Sequence, residues 1–173
     1  YSMKGKYAEV ETPAYFITGW YDNLCDETIK VYRNWKSQAR TPEARTQTRL
    51  MVGPWTHSTI GASTPFGDIA FGPAATVDMP AEHLRWYDRR LRGLENGIDA
   101  EPPVRIFVMG ANAWRSEQEW PLARTRYTSF YLHGKGRANS LFGDGVLSMD
   151  APAEEPVDSF TYDPNDPVPT QGG

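Results

Sequence analysis

The sequence predicts an α/β first half, residues 1–97, followed by an all-β second half, residues 98–173. Two short strand-like runs, 14–17 and 49–52, are separated by a helical pattern. This order of strand, helix and strand is typical of an α/β sheet. After Leu94 no convincing helical pattern occurs, and strand-like runs alternate with turn residues, which favours an all-β half.

Each element of the first half has a local reason. The run 14–17 is apolar and aromatic throughout and ends at Gly19, as in a strand buried on both faces. The helix after it is predicted from residues that share one face, namely Cys25, Ile29, Tyr32 and Ala39. We expect Pro42 and the polar stretch after it to end this helix. The second strand, 49–52, stops at Gly53.

A long segment rich in Gly, Ser, Thr and Pro, 55–76, follows the second strand and predicts a functional or disordered loop. Asp78 can cap the next helix, and Gly93 lies near its end. Apolar residues recur in this helix at spacings of three and four: Leu84, Tyr87, Leu91 and Leu94. Its arginines, Arg85, Arg89, Arg90 and Arg92, favour a solvated face over a phosphate site, because the helix dipole favours cations there.

The second half contains strand-like runs at 104–109 and 127–132, with turn signals at 110–112 and 133–139. The tail from residue 151 is rich in Pro and Asp and has no obvious face to bury. We therefore place a domain boundary close to 97–103.

Composition limits the class of protein. Hydrophobic residues make up 39% and charged residues 23% of 173 residues, which fits a soluble globular protein, and the location we expect is the cytoplasm. The net charge of −4 and the lack of a Lys/Arg run argue against nucleic-acid binding. Cys25 is the only cysteine, so no intrachain disulfide forms. No apolar run is long enough to span a membrane, and we expect no membrane partner.

Two polar residues follow the predicted parallel strands: Asp22 after the first and His57 after the second. Functional groups of open α/β sheets collect outside the carboxyl ends of neighbouring strands, so the two side chains are expected to meet. A carboxylate on one imidazole nitrogen leaves the other free to take a proton from a nucleophile. Spacing alone does not decide between this pair and a turn aspartate beside an exposed loop histidine.

Other enzymatic sites receive less support. Possible metal ligands, namely Asp22, Asp26, His57, Asp68 and His83, have no recognised spacing, so we expect neither a metal nor a cofactor. His83 precedes Leu84 on a helix, and His133 lies in a turn after a strand, and both favour structural roles.

Four linked motifs carry a resemblance to a known family. They are Gly19-Trp20-Tyr21-Asp22, Gly53-Pro54-Trp55-Thr56-His57, the helix segment 86–93 and the strand segment 103–110. Together they resemble the CocE/NonD serine hydrolases, a family that includes cocaine esterase, α-amino-acid ester hydrolases, cephalosporin acylases and X-Pro dipeptidyl-peptidases. The stretches Tyr162-Asp163-Pro164 and Pro167-Val168-Pro169 fit the same family.

The resemblance implies an α/β-hydrolase domain followed by a β jelly roll. Residues 1–97 would be the C-terminal part of the hydrolase sheet, and residues 98–173 the first part of the jelly roll. Asp22 would be the triad acid and His57 the general base. Leu24 would line the acyl pocket or pack in the core, and the tryptophans beside the triad, Trp20 and Trp55, would hold their loops.

The nucleophile is the departure from the family pattern. In α/β-hydrolases the serine lies on a Gly-x-Ser-x-Gly turn well before the acid, and this sequence contains no such turn. The nearest match, Gly61-Ala62-Ser63-Thr64-Pro65, follows His57 and has proline in place of the second glycine. We therefore expect a fragment that is inactive alone and works with the N-terminal part of the same enzyme.

The expected reaction is the cleavage of an ester or amide bond in a small-molecule or peptide acyl substrate, simple acyl or X-Pro dipeptidyl. The sequence does not choose between these substrates. The alternative hypothesis is a non-catalytic β-sandwich module that serves in binding or assembly. The pairing of Asp22 with His57 favours the enzyme, because a binding module has no need of it.

Overall fold

The computed structural model describes residues 3–168, which form two compact units. The first contains residues 3–123 and the second residues 124–168. No described helix is long and apolar enough to cross the hydrocarbon core of a membrane. Within the same residues, no group of three or more His, Cys, Asp or Glu side chains is arranged to hold a metal ion.

A four-stranded mixed sheet is the centre of the first unit. Its strands lie in the order β1 (Tyr15–Gly19), β2 (Arg49–Gly53), β3 (Val104–Val108) and β4 (Ala113–Glu117). β1 and β3 each pair in parallel with β2, and β4 pairs antiparallel with β3. The predicted parallel strands are therefore neighbours, and the mixed sheet with its helices confirms the α/β class.

Three α-helices belong to this unit: α1 (Cys25–Gln38), α2 (Pro42–Thr46) and α3 (Met79–Arg92). Asp78 caps α3 as predicted, because its side chain accepts a hydrogen bond from the N–H of Ala81. α2 was not predicted. Pro42 lies in its first turn and the Thr41 side chain accepts from the N–H of Ala44, so the proline that follows α1 also starts a new helix.

β2 is buried along its whole length and divides the core into two layers. On one face Leu50 and Val52 pack with Tyr32 of α1. On the other face Met51 packs with Trp55 and Val77. Successive side chains of a strand point to opposite faces of the sheet. A strand that is covered on both faces must therefore carry apolar side chains on both faces, and β2 does so after Arg49.

The periodic apolar residues that predicted α3 are mostly not buried in the structure. Leu84, Tyr87, Leu91 and Leu94 are all exposed, and Trp86 is the buried residue of the helix. Three of the four arginines of α3 bind the turn that follows the helix rather than facing only solvent, whereas Arg92 pairs with Asp88 of the same helix. Arg85 pairs with Glu101 at 2.5 Å, Arg89 pairs with Asp99 at 2.5 Å, and Arg90 also pairs with Asp99.

The second unit contains one antiparallel pair, β5 (Tyr131–His133) and β6 (Val146–Ser148). The predicted strand 127–132 is therefore confirmed only at its C-terminal end. Residues 149–168 form no regular element, as expected from their composition. The jelly roll stays a prediction, and Pro169 lies outside the described residues.

The predicted strand 104–109 corresponds to β3, which lies beside β2 in the first compact unit. The expected domain boundary near 97–103 stays a prediction, because a strand of one domain can extend the sheet of another.

Candidate active site

Two glycines bring the ends of β1 and β2 together. Gly19 and Gly53 are partners in the parallel register, and both are buried. Beyond them the N–H of Trp20 donates to the carbonyl oxygen of Gly53 at 2.8 Å, and the N–H of Tyr21 donates to that of Trp55 at 3.1 Å. The chain segments leaving the two strands are therefore bonded to each other before either reaches its polar residue.

This close approach needs both glycines. A Cβ atom on Gly19 would lie 2.0 Å from the carbonyl oxygen of Trp55, and one on Gly53 would lie 2.4 Å from its ring. A side chain at Gly19 would have to move the backbone, and one at Gly53 would have to displace the buried ring of Trp55.

Asp22 lies in the turn between β1 and α1, where its N–H donates to the carbonyl oxygen of Gly19 at 3.0 Å. Its side chain is only 3% exposed. One carboxylate oxygen, Oδ1, accepts from the N–H of Leu24 at 2.8 Å, and the other, Oδ2, accepts from the hydroxyl of Thr18 at 3.2 Å. A buried carboxylate is stable when its lone pairs are used in this way.

His57 begins a short 3₁₀ turn, His57–Thr59, directly after Thr56. The side chains of Thr56 and Thr59 form a capping box that fixes the start of this turn. The imidazole Nδ1 lies 3.2 Å from Oδ1 and 3.3 Å from Oδ2 of Asp22, a residue 35 positions earlier in the chain. The structure thus brings together the two side chains that the sequence singled out.

The electrostatic arrangement is that of an oriented base. A carboxylate only accepts hydrogen bonds, so Nδ1 of His57 carries the proton shared with Asp22. The side chain of His57 is 61% exposed, and among residues 3–168 no protein group bonds its Nε2. The free nitrogen, with its lone pair, faces outward and can take a proton from an approaching group.

The residues beside this pair differ in their surroundings. Leu24 is 48% exposed, so it does not pack in the core, and its role at a substrate stays a prediction. Trp20 donates from its indole N–H to the carbonyl oxygen of Phe107 at 2.7 Å. Trp55 is buried, and its indole N–H donates to the carbonyl oxygen of Ala75 at 2.9 Å. Both tryptophans therefore hold the loops that carry the pair.

Ser63 and His83 remain outside this site. The hydroxyl of Ser63 donates to the carbonyl oxygen of Gly72 at 2.5 Å, within the loop after His57. His83 is exposed on α3.

A second serine–histidine–carboxylate group occurs in the second unit. His133 contacts Glu155 through Nδ1 at 2.6 Å, and its Nε2 contacts Ser148 at 3.2 Å and the carbonyl oxygen of Asp150 at 3.0 Å. A carboxylate and a carbonyl both only accept, so both ring nitrogens donate and neither keeps a lone pair for Ser148. This group is therefore a structural clamp, in line with the role expected for His133.

One residue that contacts the Asp22 carboxylate was not identified from the sequence. Thr18 lies within an apolar strand, and only its position four residues before Asp22 could have indicated that its hydroxyl reaches the carboxylate.

Comparison with known families matches two models to this chain. The model described as X-Pro dipeptidyl-peptidase of the S15 family matches residues 2–59, which include Asp22 and His57. The model described as the X-Pro dipeptidyl-peptidase C-terminal non-catalytic domain matches residues 96–171. A cocaine esterase of Rhodococcus sp. (strain MB1 Bresler) is 41% identical over 165 residues. This chain belongs to the CocE/NonD-type, X-Pro dipeptidyl-peptidase-like family.

The relatives within the CocE/NonD-type family are serine esterases and peptidases. A putative serine esterase of Mycobacterium bovis is 29% identical over 151 residues, covering 86% of this chain and 21% of that protein. The cocaine esterase match covers 94% of this chain and 27% of the esterase. This chain therefore spans about a quarter of the length of the curated relatives it matches.

A solved structure supports the fold. The crystal structure of an aminopeptidase from a marine sediment archaeon, Thaumarchaeota archaeon, superposes with a TM-score of 0.66 at 22% identity. The match covers 96% of this chain and 26% of the aminopeptidase chain.

Proposed function

We propose that this chain supplies the acid and the general base of a Ser-His-Asp triad, Asp22 and His57, to a serine hydrolase. The observation that carries this proposal is the buried carboxylate of Asp22 on Nδ1 of His57, with Nε2 free among the described residues. The nucleophilic serine would come from outside residues 1–173, because the sequence contains no Gly-x-Ser-x-Gly turn.

In the proposed reaction the serine hydroxyl attacks the carbonyl carbon of an ester or amide, and Nε2 of His57 takes its proton. Asp22 stabilises the imidazolium that forms and keeps the ring in the productive tautomer. His57 then gives the proton to the leaving alcohol or amine, which leaves an acyl-enzyme. Water, deprotonated by the same nitrogen, then attacks the acyl carbon; the bond to the serine oxygen breaks, His57 returns the proton to that oxygen, and the acid leaves.

The proposed substrates are small-molecule or peptide acyl compounds, either simple esters and amides or peptides that carry an X-Pro dipeptidyl group. The names of the matched family models and of the cocaine esterase support this range. Leu24 would contact the acyl group, because its side chain is half exposed and follows Asp22 by two positions.

The proposed partner is the N-terminal part of the same enzyme, which would carry the serine and the oxyanion hole. β1 is an edge strand of the described sheet, and an unpaired edge is a template for another strand. The exposed apolar residues of α3, Leu84, Tyr87 and Leu91, offer a face for the same partner to cover. The second half of the chain would start a β jelly roll.

The test combines labelling with kinetics. A fluorophosphonate labels activated serines, and we expect the intact mass of this chain to stay unchanged after treatment. In the complete enzyme, Asp22→Asn and His57→Gln are each expected to lower kcat by about 10³-fold or more, because the triad acts as a unit. His83→Gln, an exposed histidine on α3, is the matched control and should leave kcat unchanged.

Two results would contradict the proposal. A labelled serine within residues 1–173 would place the nucleophile in this chain. Full activity in the His57→Gln variant would remove His57 from the reaction.

A binding or assembly role is the second candidate for residues 96–171, because the model that matches them is described as a non-catalytic domain. Under this role alone, the Asp22→Asn variant would keep every function of the chain.

A further inference from the structure

Thr18 has a hydroxyl group at a core position where packing alone would favour an apolar side chain. Thr18 is completely buried in β1, opposite Val52 of β2 in the parallel register. Its side chain shares a strand face with Phe16, which packs in the core layer of α1. Valine has the same shape and would fill this position without burying a polar atom, so the hydroxyl needs another reason.

A buried hydroxyl is unfavourable unless it is hydrogen-bonded. Within the described residues, the hydrogen bond that Thr18 donates goes to Oδ2 of Asp22 at 3.2 Å. The neighbouring Cys25 does not compete as an anion, because burial raises the pKa of its thiol, an effect that the Thr18 hydroxyl partly offsets. The carboxylate of Asp22 is therefore the charged acceptor beside this hydroxyl.

We propose that Thr18 is a positioning residue, whose hydroxyl holds the carboxylate plane of Asp22 so that both oxygens face Nδ1 of His57. This inference rests on the proposed function, in which Asp22 orients the base. The torsion that turns a carboxylate about its Cβ–Cγ bond is broad and does not fix the plane by itself. Each oxygen of Asp22 has one anchor: the N–H of Leu24 on Oδ1 and the hydroxyl of Thr18 on Oδ2.

The two anchors explain the nearly equal distances of 3.2 and 3.3 Å from Nδ1 to the carboxylate oxygens. The anchor of Leu24 is a backbone group and is kept in every variant. Removing the other anchor should leave the carboxylate in place but free to turn away from His57.

The first experiment uses this chain with ¹⁵N-labelled histidine. Thr18→Val removes the hydroxyl and keeps the shape, and Thr18→Ser keeps the hydroxyl and loses a methyl group. In the Thr18→Val chain we expect the Nδ1–H signal of His57 to move upfield and the neutral ring to lose its preference for the Nδ1–H tautomer. The Thr18→Ser chain should retain both signatures. A packing role alone would produce the opposite order, because serine disturbs the packing more than valine does.

The second experiment measures turnover of an ester by the complete enzyme. Thr18→Val is expected to lower kcat by about tenfold with KM unchanged, since a hydrogen bond to a charged acceptor is lost, and Thr18→Ser to restore most of the rate. If the His57 signals are the same in Thr18→Val as in the parent, or if an active parent keeps its kcat in Thr18→Val, the positioning role is wrong. If the signals change as expected but the parent enzyme turns over no ester or amide, the positioning role stands and the proposed function fails.

Discussion

The N–H of Tyr21 donates a hydrogen bond of 3.1 Å to the carbonyl oxygen of Trp55. This bond joins the turn that carries Asp22 to the turn that carries His57. Together with the bond from Trp20 to Gly53, it continues the pairing of β1 and β2 beyond the ends of the strands. The distance between the acid and the base is thus set by backbone geometry.

We predict that Gly19→Ala separates these turns. The new Cβ would lie 2.0 Å from the carbonyl oxygen of Trp55, a backbone atom that cannot turn aside. The expected result is a loss of at least about 2 kcal/mol in the free energy of unfolding. Denaturant unfolding measures this loss, and NMR of His57 should show a weakened contact with Asp22. Ser58→Ala, an exposed change one residue after His57, is the control. A Gly19→Ala protein as stable as the control would show that the turns have room.

We predict that Trp55→Phe loosens the loop after His57. The buried indole N–H donates to the carbonyl oxygen of Ala75 at 2.9 Å, and phenylalanine would leave that oxygen without its partner. Leaving a buried acceptor unsatisfied costs about 1–3 kcal/mol, and a smaller ring adds a cavity. Trp35→Phe is the matched control, because the Trp35 indole donates to Thr12 at 3.0 Å at an exposed site. Equal losses in the two variants would argue against the role of Trp55.

Much of the candidate site follows from the sequence. The short apolar runs indicated parallel strands, and the ends of parallel strands predict that Asp22 and His57 meet. The pairing is confirmed as geometry, and the catalytic role of the two residues stays a prediction. Thr18 could not be found in this way, because its hydroxyl gains a partner only when the turn at Asp22 folds back over the strand.

The features of the fold that the sequence did not predict have different physical causes. α2 depends on the side chain of Thr41 as a cap, and Pro42 predicts a helix end and a helix start equally well. The strand Val104–Val108 was expected in an all-β half, yet it pairs with β2, since local sequence does not specify a strand's neighbour. The periodic apolar residues of α3 predicted a helix correctly, but periodicity does not indicate which part of the protein, if any, packs against the apolar face of the helix.

We predict that Arg49→Met uncouples β2 from the turn that precedes β3. The side chain of Arg49 is 9% exposed and donates to the carbonyl oxygens of Ile98 at 2.7 Å and Pro102 at 3.0 Å, and to the carboxylate of Glu101 at 3.1 Å. Methionine would remove these three hydrogen bonds, at a cost of about 3 kcal/mol in unfolding free energy. Glu101 would keep its pairing with Arg85. The carbonyl oxygen of Ile98 would keep the N–H of Glu101, so the loss falls mainly on the carbonyl oxygen of Pro102.

Arg40→Met is the control for this change. Arg40 pairs with Glu11 at 2.8 Å, but both side chains are exposed, and such a pair contributes less than about 1 kcal/mol. Arg49→Lys should lie between the parent and Arg49→Met, because lysine keeps the charge without the planar fork. Thermal and urea unfolding check the order, and a loss at Arg49 as small as that at Arg40 would contradict it.

We predict that the contact between His133 and Glu155 stabilises the second unit most in mildly acidic solution. The hydrogen bond to Glu155 raises the pKa of His133 above 6.5, and the same bond, with the N–H of Gly134, lowers the pKa of Glu155 below 4.5. A raised histidine pKa stabilises the fold fully below 6.5, and this contribution is lost as pH rises through the raised value. A lowered carboxyl pKa stabilises the fold above 4.5, and this contribution is lost as pH falls through the lowered value.

The pair therefore contributes fully between about pH 4.5 and 6.5 and less on either side. The amide of Gly134 reports on it directly, since it donates to Oε2 of Glu155 at 3.0 Å. We expect its protection factor in hydrogen exchange to be highest within this window. His133→Gln should remove the fall on the alkaline side, because an amide does not titrate, whereas His83→Gln should leave the profile unchanged. A protection factor that rises steadily with pH, with no fall on the alkaline side, would contradict the assignment, because deprotonation of His133 should weaken the clamp.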